Sequence, residues 1–307
     1  MLRRAAQPLI IAFALSSIAS AALAQDRAQE VLAQARDALG NKAALTGITS
    51  LSVGATVRRV MQMAGNMEIS SDVQIEFLLP DKYRRTEAVS IGAISRTVIV
   101  ALSGDQILYD DGGAAAAMGV DPAAPGPQRD EMVKSLKQDN FRMLTIWLLA
   151  PPSNVPCTFA YAGVAEAPDG KADVVDVKGT EGLNLRLFFD TTSHRLLMAT
   201  YQTEVVDPEQ MKALTQKTME VAKQGAQNAK QDPQYAQKLV QGMRDEIAKL
   251  PRKTTTVQMH FSDHRAIGGV TLPGKVIVET EGQGREDWTI SSFKLNTPLK
   301  PERFQKK

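Results

Sequence analysis

The residue types that most often do chemistry are scarce in this chain, which holds three histidines and one cysteine among its 307 residues. His260 and His264 flank Phe-Ser-Asp in an alternating, strand-like run, where they share a face but lie roughly 13 Å apart, too far to bind one zinc ion. Cys157 alternates with apolar residues and is expected to be a buried thiol without a disulfide partner. We therefore predict no metal, no cofactor and no catalytic site. Catalysis by carboxylates is the alternative, whose sign is a cluster of carboxyls with shifted pKa values in a cleft.

Two arginines interrupt the apolar side of strand-like runs. Arg59 is in phase with Val57 and Met61, and Arg96 is in phase with Val98. A buried guanidinium is costly unless it is paired. Either a strand end lets these side chains reach solvent, or they line a cavity and meet a polar head group or a lid.

The alternating runs also supply a long apolar face. A strongly curved sheet either fills its own interior with side chains or leaves a groove that can bind a ligand. The sequence alone does not choose between these outcomes. The candidate residues for an apolar lining are Val53, Val57, Met61, Ile69, Val73, Ile75, Phe77, Val98, Val100, Trp147 and Leu148.

These residues are positioned by a mainly β chain of the α+β class. About eleven strands, mostly joined by short turns, predict one antiparallel sheet. Amphipathic or apolar helices are expected over residues 26–39 and 129–149. Residues 207–252 form a predicted helical insertion, in which Asp207-Pro208 and Asp232-Pro233 each open a helix. Basic residues outnumber acidic ones there, although a solvated helical face is the ordinary explanation.

Residues 1–24 have the pattern of a secretory signal peptide. Arg3 and Arg4 precede a short apolar run at 8–19, and Ala22-Leu23-Ala24 fits a cleavage site. These two arginines account for the formal charge of +2, so the mature chain is neutral and has no general attraction for nucleic acid. No cysteine follows the cleavage site to carry a lipid anchor, and no later segment is apolar enough to span a membrane. We predict one periplasmic domain over 25–307.

Several short motifs occur along the chain in a characteristic order. They are Ala-Leu-Gly at 38–40, the apolar residues Leu45, Ile48 and Leu51, and the segments 77–85, 268–273 and 288–296 with Phe304. In combination they resemble the LolA/LolB-like superfamily of periplasmic outer-membrane lipoprotein-sorting proteins. The likeness covers most of residues 26–304, whereas this chain is longer than the lipoprotein carrier of that superfamily, in which the insertion at 207–252 has no counterpart.

The resemblance implies a half-barrel, a curved antiparallel sheet wrapped over a few helices, with an apolar cavity for lipid or lipoprotein acyl chains. Arg59 is the position that could match an inward arginine that helps to control lid closure in the carrier, and the helix ending at Trp147 and Leu148 would be the plug or lid. The alternative is an envelope sensing or protein-interaction module similar to RseB, with its partner surface at 207–252.

Overall fold

The computed structural model describes residues 11–40, 42–63, 65–91, 94–117, 121–167, 170–180, 182–225 and 235–305. Within these ranges the chain forms twelve strands, one more than the count expected from the alternation. The strands are β1 (Ser50–Met63), β2 (Gly65–Leu78), β3 (Lys82–Ile91), β4 (Ile94–Ser103), β5 (Gln106–Asp110), β6 (Cys157–Ala167), β7 (Gly170–Gly179), β8 (Asn184–Asp190), β9 (Leu196–Val206), β10 (Arg252–Ile267), β11 (Val270–Thr280) and β12 (Gly284–Leu295).

The helices lie before, between and after these strands. The expected helix at 26–39 is the end of a longer helix, and the one expected at 129–149 begins two residues earlier and ends one residue sooner. The helices are α1 (Ile11–Leu39), α2 (Lys42–Thr46), α3 (Ala114–Ala117), α4 (Pro127–Leu148), α5 (Pro208–Gln224) and α6 (Tyr235–Lys249), with a final 3-10 turn at Pro301–Phe304.

All twelve strands belong to one antiparallel sheet in the order β5-β4-β3-β2-β1-β12-β11-β10-β9-β8-β7-β6. Each of the two runs β1–β5 and β6–β12 is a meander of sequential neighbours, as short turns predict. The two meanders are joined where β1 pairs with β12. The edge strands β5 and β6 do not pair with each other, so the sheet is an open half-barrel and not a closed barrel. The predicted α+β class and antiparallel half-barrel are confirmed.

Helices α1 and α4 both pack on one face of the sheet, which we call the inner face. Helix α1 buries Ala28, Val31, Leu32 and Ala35, whose spacing places them on one side of a helix. Helix α4 buries nearly every residue of its second half, and both helices share one continuous apolar cluster with the strands. Full burial of a large apolar side chain contributes roughly 1.5–3 kcal/mol. The inner face is therefore the core of the protein.

The helical insertion connects β9 to β10 as the sequence predicts. The Asp207 side chain accepts hydrogen bonds from the backbone amides of Glu209 and Gln210, and Pro208 occupies the first turn of α5. This is the N-cap arrangement expected from Asp207-Pro208. The second expected cap, Asp232-Pro233, lies outside the described residues. No helix in the described ranges is both long and apolar enough to cross a membrane.

Candidate functional site

The inner face brings most of the predicted lining residues together. Cross-strand pairing puts Val53 opposite Ile75 and Val57 opposite Trp288. Val98 and Val100 continue the face onto β4, where they are half-buried. The Met61 side chain lies outside the described residues. The remaining predicted residues are all buried, on the strands at Val53, Val57, Ile69, Val73, Ile75 and Phe77 and on α4 at Trp147 and Leu148.

Helix α4 occupies the concave side of the sheet, so the inner face is filled and not open. Phe141 and Leu144 are fully enclosed, and the Trp147 ring meets Phe293 of β12 edge to face at a centroid distance of 5.2 Å. Because α4 covers the buried residues of these strands, an acyl chain can reach the inner face only if α4 moves.

Helix α4 packs against an apolar surface, but three of its own buried polar atoms have no hydrogen-bond partner. Asn140 Oδ1, Arg142 Nε and Trp147 Nε1 are buried and make no hydrogen bond. The Arg142 guanidinium lies over the Tyr201 ring, 4.2 Å from its centroid, and donates to Gln138 Oε1 at 3.3 Å. Burial lowers the pKa of Arg142. Each unpaired buried group costs about 1–3 kcal/mol, which weakens the closed arrangement of α4 relative to a hydrated one.

Arg59 lies on the inner face at the end of β1 and is held by two carboxylates. Its Nη1 donates to Glu87 Oε1 at 2.5 Å and its Nε donates to Glu286 Oε1 at 2.6 Å. Ser71 Oγ donates to the same Glu87 oxygen at 2.8 Å. Arg85 Nη2 approaches Glu87 Oε2 at 2.8 Å. These contacts tie β1, β2, β3 and β12 together, and we call Arg59, Ser71, Arg85, Glu87 and Glu286 the inner charged cluster.

The inner charged cluster shifts the titration of its central carboxyl. Burial alone would raise the pKa of Glu87, but the Arg85 charge and the hydrogen bonds from Ser71, Arg85 and Arg59 outweigh it and lower that pKa to about 2. Trp288 Nε1 donates to Glu286 Oε2 at 2.9 Å, and the Arg85 guanidinium lies 5.3 Å from the Trp288 ring centroid. Glu87 is thus ionised and closely paired at neutral pH.

Asp139 on α4 is a second carboxyl, which interacts with the Arg85 charge of the cluster. Its side chain keeps 43% of its surface accessible, and its oxygen lies 3.8 Å from Arg142 Nη1. The enzyme alternative requires carboxyls with shifted pKa values gathered in a cleft. Glu87 is saturated with hydrogen-bond donors, which disfavours it as a base.

Arg96 lies away from this cluster, near the β5 edge of the sheet. Its side chain is 42% exposed and forms an ion pair with Asp111, whose side chain is 3% exposed. Asp111 also accepts hydrogen bonds from the backbone amide of Ala115 and from the Tyr109 hydroxyl. The Arg96 side chain is therefore exposed to solvent, whereas the Arg59 side chain is half-buried at 21% exposure.

Sequence reasoning missed several residues that shape the site. Arg85 and Glu87 are in phase with the buried Tyr83 on β3, and that phase could have shown that they face inward. Glu286 could not be paired with Arg59, because the two residues are 227 positions apart. Arg36 of α1 donates from Nε and Nη2 to the Leu149 carbonyl at 3.2 and 3.1 Å, which fixes the end of α4.

The histidine and cysteine positions do not form a cluster in the described part of the chain, where no three His, Cys, Asp or Glu residues gather to hold a metal ion. His260 is exposed and His264 is half-buried on β10. Cys157 is partly buried, and burial raises the pKa of its thiol, which lowers its reactivity at neutral pH.

Comparisons with known proteins give structural likeness at low sequence identity. No family model matches the sequence, and no curated protein matches it. A LolA superfamily protein from Nitrosomonas europaea is similar at 10% identity and a TM-score of 0.47, covering 91% of this chain and 97% of that chain. A putative outer membrane lipoprotein-sorting protein domain from Vibrio parahaemolyticus is similar at 8% identity and a TM-score of 0.42, covering 90% and 97%. A DUF1329 family protein from Desulfovibrio piger is similar at 9% identity and a TM-score of 0.41, covering 91% and 97%.

Proposed function

We propose that this protein is a non-enzymatic, periplasmic binder of lipid or lipoprotein acyl chains, which it holds on the inner face of the half-barrel. Helix α4 is the plug that an acyl chain displaces. The observation that carries the proposal is the packing of α4. The helix lies in the apolar core, yet its own Asn140, Arg142 and Trp147 have buried polar atoms without hydrogen-bond partners. A helix that is held by apolar contacts but is poorly hydrogen-bonded is suited to be replaced by an apolar ligand.

The exchange has terms of opposite sign. A buried methylene contributes about 0.8 kcal/mol, so a sixteen-carbon chain contributes on the order of 10 kcal/mol. Moving α4 hydrates the three unpaired atoms, but it exposes the apolar residues that its second half buries, which opposes binding. Because this exposure offsets part of the gain, it supports reversible loading and transfer of the chain to a partner.

Polar groups at the end of the inner face give the ligand a place for its head. Arg59 is paired with Glu87 and Glu286 in the closed form, and these acids compete with any anionic or carbonyl group that approaches it. We assign Arg59 to the contact with a head group or with the lid. Arg96, paired with Asp111 at the boundary, would play the same part only after that pair opens.

The proposed compartment rests on the signal-peptide pattern of residues 1–24. Residues 1–24 are proposed to be removed as a signal peptide, which leaves 25–307 as one domain with the insertion at 207–252. Export delivers the protein to the compartment in which lipoprotein acyl chains must cross water between membranes. An apolar inner face that a plug can cover or release suits that task.

Native mass spectrometry of protein purified from the periplasm, followed by organic extraction, tests the proposal. The unmodified protein is expected to release fatty-acyl species at a fixed stoichiometry. Val57→Glu places a charge on the inner face, and Val57→Thr adds a hydroxyl there at similar volume. We expect the first to abolish the load and the second to reduce it.

The matched control is Gln74→Glu, which changes charge on β2 at a residue that faces away from α4, since Gln74 donates to Ser52 Oγ. This variant should keep the full load. Thermal melting of each variant shows that the fold persists. Release of no acyl species by the unmodified protein, or an unchanged load in both folded Val57 variants, would remove the proposal.

A second candidate, an envelope sensing or protein-interaction role, is favoured by one observation on α5. Met219 and Val221 are 43% and 40% exposed. Asp207 N donates to Pro251 O at 3.0 Å, so the insertion starts and ends at one point and an Asn-Gly turn can replace 207–251. Loss of an envelope partner with the acyl load retained would favour this role, whereas loss of the load with the partner retained would favour the carrier role.

A further inference from the structure

The opposite face of the sheet, which faces away from α4 and which we call the outer face, carries a depression over strands β12, β1, β2 and β3. Its free space is about 310 Å³, and about 600 Å³ with the open mouth included. Sites for small molecules usually offer roughly 300–1,000 Å³. The polar side chains that line this outer depression are Asp72, Gln74, Thr86, Ser291 and Ser292.

A glycine creates the floor of the outer depression. Strand pairing places Gly54 of β1 between Ser292 of β12 and Gln74 of β2. The backbone of Gly54 does not have a positive φ, so its conformation does not require glycine. A Cβ at this position, however, would lie only 2.7 Å from Ser292 Oγ. The space above Gly54 therefore depends on the missing side chain, and a glycine inside a strand often marks a close approach of this kind.

A β-bulge brings a second hydroxyl to the same place. The register between β1 and β12 shifts after Gly54, because Ser292 opposes Gly54 whereas Ile290 opposes Ala55. Ser291 is the extra residue of the bulge, and bulges often redirect a side chain near a functional site. Ser292 Oγ, Ser291 Oγ and Gln74 Oε1 lie 2.7, 3.1 and 3.4 Å from the point where a Gly54 Cβ would be. Three oxygen atoms thus converge on one empty position.

The polar groups of the outer depression can still accept and donate hydrogen bonds. Gln74 donates from Nε2 to Ser52 Oγ at 2.5 Å, which leaves its Oε1 as an acceptor. Asp72 is exposed and accepts from Thr56 Oγ1 through Oδ1 at 3.0 Å, which leaves its Oδ2 as an acceptor. The serine and threonine hydroxyls both donate and accept. The lining includes a carboxylate but no lysine, arginine or histidine, which disfavours an anionic ligand.

We propose that the outer depression binds an uncharged sugar ring, such as one hexose unit of a glycan. Each ring hydroxyl donates and accepts, which matches the Asp72 and Gln74 acceptors and the hydroxyls of Thr86, Ser291 and Ser292. The small residues Gly54 and Ala88 let the ring approach the strands. The site lies across the sheet from α4, so the proposal does not depend on an acyl load. A small ammonium ligand at Asp72 is the other species of suitable chemistry, and it is an outcome of the test.

Ligand-observed NMR, which detects weak binding, tests the proposal on protein purified from the periplasm. The probes are glucose, mannose and N-acetylglucosamine, and we expect saturable binding of at least one of them. Asp72→Asn should weaken this binding about ten-fold, because a hydrogen bond to a charged acceptor is lost. Thr86→Val keeps the shape of the side chain and should weaken it about three-fold. The matched control is Glu204→Gln, which neutralises an exposed acid on β9 and should change nothing.

A second variant tests the space above Gly54. Gly54→Ala is combined with Ser292→Ala, since the added methyl would otherwise meet Ser292 Oγ, and thermal melting shows that the fold persists. The double variant should abolish sugar binding, whereas Ser292→Ala alone should weaken it about three-fold. Folded Val57→Glu should keep full sugar affinity while losing the acyl load, so failure of this proposal and failure of the carrier role are distinguishable.

Three results would overturn the proposal. They are the absence of saturable binding of all three sugars, an unchanged affinity of Asp72→Asn, and full affinity of the folded double variant. Tighter binding of ethanolamine than of any sugar, if Asp72→Asn abolishes it and Thr86→Val does not affect it, would assign the outer depression to an ammonium ligand instead.

Discussion

Replacing Glu87 by glutamine probes the inner charged cluster most directly. The substitution keeps the shape of the side chain and removes the charge that Arg59 and Arg85 share. Glu286 then remains the only acid of the cluster for two guanidinium groups. Because the Glu87 side chain is only 18% exposed, solvent screens little of the loss.

The magnitude follows from the two pKa values of Glu87, about 2 in the folded protein and 4.5 ordinarily. Each pKa unit is worth about 1.4 kcal/mol, so the ionised carboxylate stabilises the fold by at most about 3 kcal/mol at neutral pH. A lowered pKa means that the folded state binds the proton less well than the unfolded state. The stabilisation is therefore complete above about pH 4.5 and is lost as the pH falls toward 2.

Urea unfolding of the unmodified protein and of Glu87→Gln between pH 7 and pH 3 measures this difference. We expect the variant to be less stable by about 3 kcal/mol at pH 7, and the gap to fall to less than half of that at pH 3. Glu68→Gln is the control, since Glu68 pairs with Arg58 in an exposed position and should change the stability little. A gap that stays constant across this pH range would refute the electrostatic explanation of the cluster.

Two further predictions concern the ends of helices. Arg36→Met removes both hydrogen bonds to the Leu149 carbonyl, so it should lower the free energy of unfolding by about 2 kcal/mol and increase the binding of an apolar dye. The control Arg58→Met should do neither. Unchanged dye binding by Arg36→Met would contradict the role of Arg36 in holding α4. Asp207→Ala removes the cap of α5 and should speed amide hydrogen exchange in α5 by the equivalent of about 1 kcal/mol, with no change in the sheet. Equal exchange in both proteins would show that the cap contributes nothing.

Much of the fold could be predicted because local patterns determine it. The alternation in β1 and β2 identifies which side chains face the core, and the spacing of Ala28, Val31 and Leu32 identifies the buried side of α1. Short turns then order the strands as meanders. The curvature that lets two helices pack on one face of the sheet is not local, since it depends on the twist summed over twelve strands.

The site was less predictable for a similar reason. Arg59 could be placed on the inner face from its phase alone, but its partners come from β3 and β12, which the alternation does not align with β1. Whether a guanidinium reaches solvent or stays enclosed depends on such partners.

The contacts along α4 differ between its two ends, and the difference determines how it can open. Its first half buries only Leu136, packs Met132 and Val133 partly against the core, and forms exposed ion pairs, such as Glu131 with Arg252 at 2.9 Å and Lys137 with Asp105 at 2.5 Å. Exposed pairs contribute little, about 0–1 kcal/mol each. Its second half buries nearly every residue and ends at the two hydrogen bonds from Arg36. Opening that starts at the first turn and pivots near Leu149 breaks the weak contacts first, so Arg36 can anchor the helix while the inner face becomes accessible.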